Sequence, residues 1–318
     1  MYETVSNPKG TAGVTHPPFS LGWKQFRDTE IEFYMIKSFS PHKLYGLVGN
    51  PVAHSLSPNM HNVAFGKLNI NAAYLPILVE KTKLKEAISS LQETGVLGFN
   101  VTIPFKTECM QYLDKIDPLA KMIGAVNTVS VKNKKLIGSN TDYAGFLRSL
   151  REDLQFSPRD KNIFVLGSGG AARAVVFALA SSGCGKVSIY DLISSRANNL
   201  ESAVRKSFLK LEIKACVLKD IPDLIERCQL LINCTPLGMK KEDPMPIDIK
   251  LLHKGLKVYD IIYTPLETAL IKAARKRSLK STGGIGMLLY QGVLAFELWT
   301  NRKAPVSLMK KELLNSLR

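Results

Sequence analysis

This chain of 318 residues predicts an α/β fold built from two units, the second a doubly wound parallel sheet. Three observations carry that expectation. From Leu44 onward, short apolar runs alternate with stretches of helical periodicity, the rhythm of strand–helix–strand construction. The alternation restarts after Lys161 with a strand set of its own. Apolar residues make up 45% of the chain, enough to bury two cores, yet no run approaches the roughly 18 residues of a membrane span.

The elements follow in order. Residues 1–43 stand outside the rhythm: Pro8, Gly10, Gly13, Pro17 and Pro18 break any periodicity. That stretch reads as an extension, disordered in part, with Met35 an alternative start. Residues 43–49 form a strand ending in a turn at Asn50 and Pro51, and residues 72–79 and 97–103 form two more, with helical patterns at 58–68 and 81–93 between them. A fourth strand at 125–131 turns back at Asn133 and Lys134 onto a short segment at 135–137. The first unit therefore spans 44–142 and is completed by the C-terminal helices of 285–318. The second unit, 143–284, holds strands at 162–167, 186–191, 213–217, 230–235 and 257–262, with helices at 170–182, 194–208 and 221–227. A last long helix, 286–300, opens after Gly283, Gly284 and Gly286.

Composition excludes several classes. The five cysteines, Cys109, Cys184, Cys216, Cys228 and Cys234, show no C-x-x-C spacing and read as reduced thiols rather than a disulfide framework or a metal site. No charged-then-apolar leader opens the chain, so a cytoplasmic protein is expected. The net charge of +16 raises nucleic acid as a partner, but the basic residues are dispersed and lack interleaved aromatics. A positive field equally suits small anionic ligands. Neither nucleic acid nor membrane is expected as a partner, and monomer and homodimer both remain open.

Two motifs carry chemistry. The first is G-S-G-G-A-A-R from Gly167, which closes a strand and opens a helix. It fits G-x-G-x-x-G/A through Gly167, Gly169 and Ala172. Gly167 makes the tight turn, Gly169 leaves room for a pyrophosphate, and the helix N-terminus offers free N–H groups. The second unit is thus a Rossmann-like dinucleotide-binding domain. The next strand ends at Asp191, 24 residues after Gly167. A carboxylate there accepts from a ribose 2′-OH and repels a 2′-phosphate, and Leu192 supplies no cation, so NAD is favoured while NADP stays open. Arg196 reads as an exposed residue in the first turn of the following helix.

The second motif is a set of small polar segments at strand ends of the first unit: Ser55-Leu56-Ser57, Asn100 to Lys106, Ala125 to Thr128, and Asn140-Thr141-Asp142. Strand ends gather at one sheet edge, where ligands bind. Each segment has a plain reading alone: Ser57 as a helix cap before Pro58, Asn127 as a turn residue, Asp142 as a cap, Lys106 as a solvated side chain. Together they describe a cleft for a small polyhydroxylated acid.

These segments, NVTIPFK, AVNT, GSNTDYAG, GSGGAAR and GIGMLLYQG, occur in order between Leu44 and Thr300 and resemble the shikimate dehydrogenase family, including its quinate/shikimate members. The resemblance implies reversible hydride transfer between C3 of shikimate and a nicotinamide cofactor, with quinate an alternative acid. It implies that Lys106 and Asp142 form the catalytic pair, that Ser55 and Ser57 bind the substrate carboxylate, and that Thr102, Asn127, Gln291 and Tyr263 bind the rest of the substrate. Gly167, Ser168, Gly169, Gly170, Ala171, Ile261 and Gly284 are the implied cofactor contacts, joined by Asp191. No metal is implied. Members using NADP often carry Asn-Arg-Thr after the second nucleotide strand, where this chain has Asp191-Leu192-Ile193. A non-catalytic dinucleotide sensor is the alternative of another class, and an intact Lys106/Asp142 pair speaks against it.

Overall fold

The computed structural model describes residues 43–317. Of the 1–43 extension, all but Lys43 lies outside them. The chain begins with β1 (Lys43–Gly49), α1 (Ser57–Lys67), β2 (Ala72–Leu78), α2 (Leu84–Glu93), β3 (Gly98–Val101), β4 (Lys115–Ile116), α3 (Pro118–Ile123), β5 (Thr128–Lys132), β6 (Lys135–Ser139) and α4 (Asp142–Glu152). Its strands make a six-stranded mixed sheet in the order β2-β1-β3-β5-β6-β4. β1 pairs in parallel with β2 and β3, whereas β5 runs antiparallel to both β3 and β6. Pro76 lies in β2, an edge strand, where a missing N–H breaks no ladder. Alternation along β1 sends Tyr45 and Leu47 into a core with Met60, Phe65 and Phe296, and Val48 into a second core with Leu84, Ile88 and Phe105.

The second half holds β7 (Asn162–Leu166), α5 (Gly170–Ser181), β8 (Lys186–Tyr190), α6 (Ser194–Ser207), β9 (Glu212–Ala215), α7 (Ile221–Glu226), β10 (Leu230–Asn233), β11 (Lys257–Asp260), α8 (Ala269–Lys276) and β12 (Ser281–Thr282). These strands form a wholly parallel sheet in the order β12-β11-β10-β7-β8-β9. The order reverses at β7, which places a ligand crevice beyond its C-terminal end. β7 is apolar throughout because both faces are covered: Ile163 and Val165 enter one core, Phe164 and Leu166 the other. Each such fully buried side chain contributes about 1.5–3 kcal/mol. The chain then returns through α9 (Ile285–Thr300) and α10 (Val306–Asn315), whose Phe296 and Met309 pack into the first sheet's core.

Three local differences from the sequence expectation have physical reasons. The strand expected from residue 125 begins at Thr128, because the Val126 N–H turns to the Lys106 carbonyl at 2.7 Å rather than to a ladder. The strand expected to reach residue 103 stops at Val101, short of Pro104, which has no N–H to donate. Neither α3 nor α8 is expected from the sequence pattern. α3 has only six residues, too few for a period, and its start is set by Asp117, whose side chain accepts from Ala120 N–H at 2.7 Å. Among the described residues no helix is long and apolar enough to cross a membrane.

Candidate active site

The site is assembled where the ends of the first sheet meet the start of α5. Lys106 is delivered by a tight turn: Phe105 N–H donates to the Thr102 carbonyl at 2.9 Å, and the Phe105 ring is fully buried. The lysine thus leaves the core at a fixed point. Asp142 is the first residue of α4, where a carboxylate is favoured by the helix dipole. Lys106 Nζ donates to Asp142 Oδ2 at 2.6 Å, with side-chain exposures of 14% and 7%. The plain readings of these two fail: Asp142 turns to lysine rather than capping its helix, and Lys106 is half-buried rather than solvated.

A buried amide and hydroxyl network flanks the pair. Asn127, 2% exposed, accepts at Oδ1 from Thr141 N–H (2.7 Å) and donates from Nδ2 to Thr141 Oγ1 (3.0 Å) and Gln291 Oε1 (3.4 Å). Asn100 Nδ2 donates to the Asn127 carbonyl and to Thr128 Oγ1, each at 3.0 Å, while its Oδ1 accepts from Tyr74 Oη at 2.7 Å. Every polar group here has a partner, so the side chains are held in one arrangement. Ser57 opens α1, and its N–H donates to Ser55 Oγ at 3.3 Å; Leu56, not Ser57, occupies the cap position. The Ser57 hydroxyl lies near the Tyr74 phenol and the Ser55 hydroxyl near that of Tyr263, each opposing the effect of burial. Burial raises both tyrosines above the ordinary phenol range, so both are neutral hydrogen-bonding groups. Thr102 follows β3, half-buried, its N–H bonded to the Val48 carbonyl at 2.9 Å.

The glycine turn closes the site from the other side. Gly167 adopts φ +93°, a left-handed conformation that side chains rarely take. A Cβ at Gly169 would meet nothing within 4 Å, so the turn presents open space at the N-terminus of α5, a cradle a pyrophosphate fits. A Cβ at Gly170 would lie 3.2 Å from Lys106 Cβ, so the turn and the lysine stem are in packing contact. Ala171, half-buried, follows in the first turn of α5. Asp191 Oδ2 accepts from Ser168 N–H (2.9 Å) and Oγ (2.6 Å), and Oδ1 accepts from Ile193 N–H (2.9 Å). This carboxylate is thereby fixed at the rim of the crevice. Arg196 is exposed in the first turn of α6, as read from sequence. Ile261 follows β11, and Gly284 precedes α9 with its backbone flush against the Ile261 carbonyl.

The structure therefore joins Lys106 to Asp142 and to the Gly170 turn, Asn127 to Gln291, and Ser57 to Ser55, whose hydroxyl lies near Tyr263. Sequence reasoning did not single out Tyr74, Asn100, Thr128 or Thr141. The last three lay inside the quoted polar segments, but Tyr74 sits in an apolar strand and carries no signal of its own.

Known proteins match this chain in sequence and fold. Residues 47–129 match the shikimate dehydrogenase substrate binding domain, and residues 284–314 the shikimate 5′-dehydrogenase C-terminal domain. The shikimate dehydrogenase (NADP(+)) of Methanopyrus kandleri is 42% identical over 86% of this chain and 95% of its own length. The chain belongs to the shikimate dehydrogenase family. A second family member, from Moorella thermoacetica, is 43% identical over 88% of this chain and 95% of its own. The solved shikimate 5-dehydrogenase of Thermus thermophilus, in complex with NADP(H) and shikimate, superposes with TM-score 0.78 at 32% identity, covering 86% of this chain and all (100%) of that one. The quinate dehydrogenase of Corynebacterium glutamicum in complex with NAD superposes with TM-score 0.80 at 30% identity, covering 86% and 99%. The family match includes both the segment that delivers Lys106 and the α9 helix that delivers Gln291.

Proposed function

We propose that this shikimate dehydrogenase oxidises the C3 hydroxyl of shikimate reversibly to the ketone, with Lys106 and Asp142 managing the proton and NAD the favoured hydride acceptor. The observation that carries the reading is the 2.6 Å Lys106–Asp142 contact, sheltered from solvent and flanked by neutral hydrogen-bonding groups.

Each part has a physical role. Ser55 and Ser57 offer hydroxyls at the N-terminus of α1, a position that favours the substrate carboxylate. Asn127 and Gln291 present amides suited to ring hydroxyls, and Thr102 and Tyr263 add single hydroxyls. A free lysine is protonated at neutral pH. In ketone reduction Lys106 therefore donates the proton directly, and Asp142 orients Nζ and compensates its charge. In alcohol oxidation an Nζ proton passes to Asp142 Oδ2, at 2.6 Å, as Nζ takes the proton leaving the hydroxyl oxygen. The residues of the glycine turn, with Asp191, Ile261 and Gly284, would hold the dinucleotide, which supplies the hydride acceptor. Asp191 supports NAD: its charge is fixed by three hydrogen bonds, opposes a 2′-phosphate, and is followed by the exposed Leu192 rather than a cation.

The test is a matrix of steady-state rates with shikimate and quinate, each with NAD and NADP. The expected maximum is shikimate with NAD. A maximum with quinate assigns the chain to the quinate branch, and a strong preference for NADP removes the role given to Asp191. No turnover with either acid rejects the function.

A further inference from the structure

Asp260 is fully buried at the end of β11, and its partners are all neutral. Burial pushes its carboxyl up to about 6, and the hydrogen bonds it accepts act in the opposite direction. Burying a carboxylate without a cation is costly, so what it holds together matters. Asp260 Oδ1 accepts from Ile262 N–H and from Asn233 Nδ2, each at 3.1 Å, and Oδ2 accepts from Thr268 Oγ1 at 2.7 Å. Between Ile262 and Thr268 the chain leaves the sheet, carries Tyr263, and re-enters at α8. Asp260 therefore pins both ends of that excursion. Asn233 extends the clamp to the turn after β10: its Oδ1 accepts from Thr235 N–H (3.0 Å) and Oγ1 (2.6 Å), and its Nδ2 donates to the Leu237 carbonyl (3.1 Å). The Ile262 carbonyl accepts from Gly284 N–H at 2.9 Å, which draws in the approach to α9. Tyr263 directly follows the pinned Ile262, and its phenol lies near the Ser55 hydroxyl, which opposes the effect of burial on it.

We propose that Asp260, with Asn233 and Thr268, is a positioning device that holds Tyr263 against Ser55 and so sets the affinity for the substrate acid. This rests on the reading of Ser55 and Tyr263 as substrate contacts. Hydrogen bonds to a charged acceptor are among the stronger ones in a protein, and a loop tied at both ends loses its aim when either tie is cut.

The experiment compares T268V, which removes the hydroxyl at nearly constant shape, with T268S, which keeps it. Y263F and the T268V/Y263F double variant complete the set. The readouts are the shikimate Kd by calorimetry on the cofactor-free protein, and the steady-state KM and kcat. T268V is expected to raise Kd and KM by about tenfold, with kcat changed less than about threefold, and T268S to bind like wild type. Y263F is expected to weaken binding similarly, and the double variant to be no weaker than the worse single, because both act through one contact. D260N, which turns an amide toward Thr268, is the second route to the same split should T268V fail to fold. Unchanged shikimate binding in T268V or D260N, or losses that simply add in the double variant, overturns the clamp and leaves the Tyr263 reading standing. Unchanged binding in Y263F overturns the substrate-contact reading and the proposal with it.

Discussion

Gly145→Ala probes the crossing of α4 and α9, on which the site geometry depends. Gly145 lies one helical turn after Asp142, and a Cβ there would sit 2.6 Å from Gln291 N and 3.0 Å from Gln291 Cα. Ordinary contacts begin at 3.4 Å, so the two helices must separate by about 0.8 Å, the difference between 3.4 and 2.6 Å. The atoms in the way are backbone, which no rotamer change can move. Either Gln291 retreats from Asn127, already at 3.4 Å, or Asp142 moves relative to Lys106. Overpacking of this kind costs about 1–3 kcal/mol of stability, and a displacement near 1 Å costs up to about 10²-fold in rate. Gly145→Ala should therefore lower kcat/KM for shikimate by roughly 10- to 100-fold, with a drop of a few degrees in Tm. Steady-state kinetics and thermal unfolding of the purified variant measure both. A variant with kcat/KM and Tm near wild type would refute the claim that this crossing sets the position of Gln291 and Asp142.

Other outcomes follow from the same geometry. Lys106→Ala should lower kcat by roughly 10²–10⁴-fold while shifting the shikimate Kd little, since the serines, amides and Tyr263 remain; calorimetry separates the two, and a kcat near wild type removes Lys106 from the chemistry. Asp191→Ala should narrow the ratio of kcat/KM values for NAD and NADP, because the charge opposing a 2′-phosphate is gone; an unchanged ratio places cofactor choice elsewhere. His61 is fully buried, stacks on Tyr74 at 4.4 Å, has neither ring nitrogen hydrogen-bonded, and is pushed by burial from 6.5 down to about 3. With the folded value below the unfolded one, the unfolded chain alone binds this proton between those values, so stability falls as pH falls through that window, by up to about 1.4 kcal/mol per pH unit. Asp260, raised from 3.8 to about 6, contributes the opposite slope between those two values. The informative quantity is therefore the difference between wild type and His61→Phe: denaturant unfolding should show the variant gaining relative stability as pH drops below about 6, and parallel curves would contradict a neutral buried imidazole.

Much of the fold is readable in the residues because its signals are local. The continuous apolar run of β7, the glycine turn behind it and the helical period of α5 state a parallel nucleotide-type unit without reference to the rest of the chain. The polar segments of the first sheet gather at one edge because the parallel strands end there and the antiparallel β5, led by Ala125 to Thr128, begins there. What escaped was set by partners distant in sequence. Tyr74 looks like any aromatic in a strand, and only its 26-residue reach to Asn100 makes it part of the site. Thr128 ends the Ala125-Val126-Asn127-Thr128 segment, but strand pairing alone decides that its hydroxyl meets Thr141 at 2.9 Å. Asp260 falls inside the strand expected at 257–262, and its contacts to three turns exist only once β10, β11 and the start of α8 are side by side. Short elements such as α3 lack the length to show a period, and a cap alone marks them.

The most direct test is the oxidation of shikimate by the wild-type enzyme with NAD, following cofactor reduction and product together. The expected result is one 3-dehydroshikimate formed for each nicotinamide reduced, with the rate lost in Lys106→Ala. The contradicting result is shikimate that binds but is not oxidised with either NAD or NADP, which would leave the Lys106–Asp142 pair without its reaction.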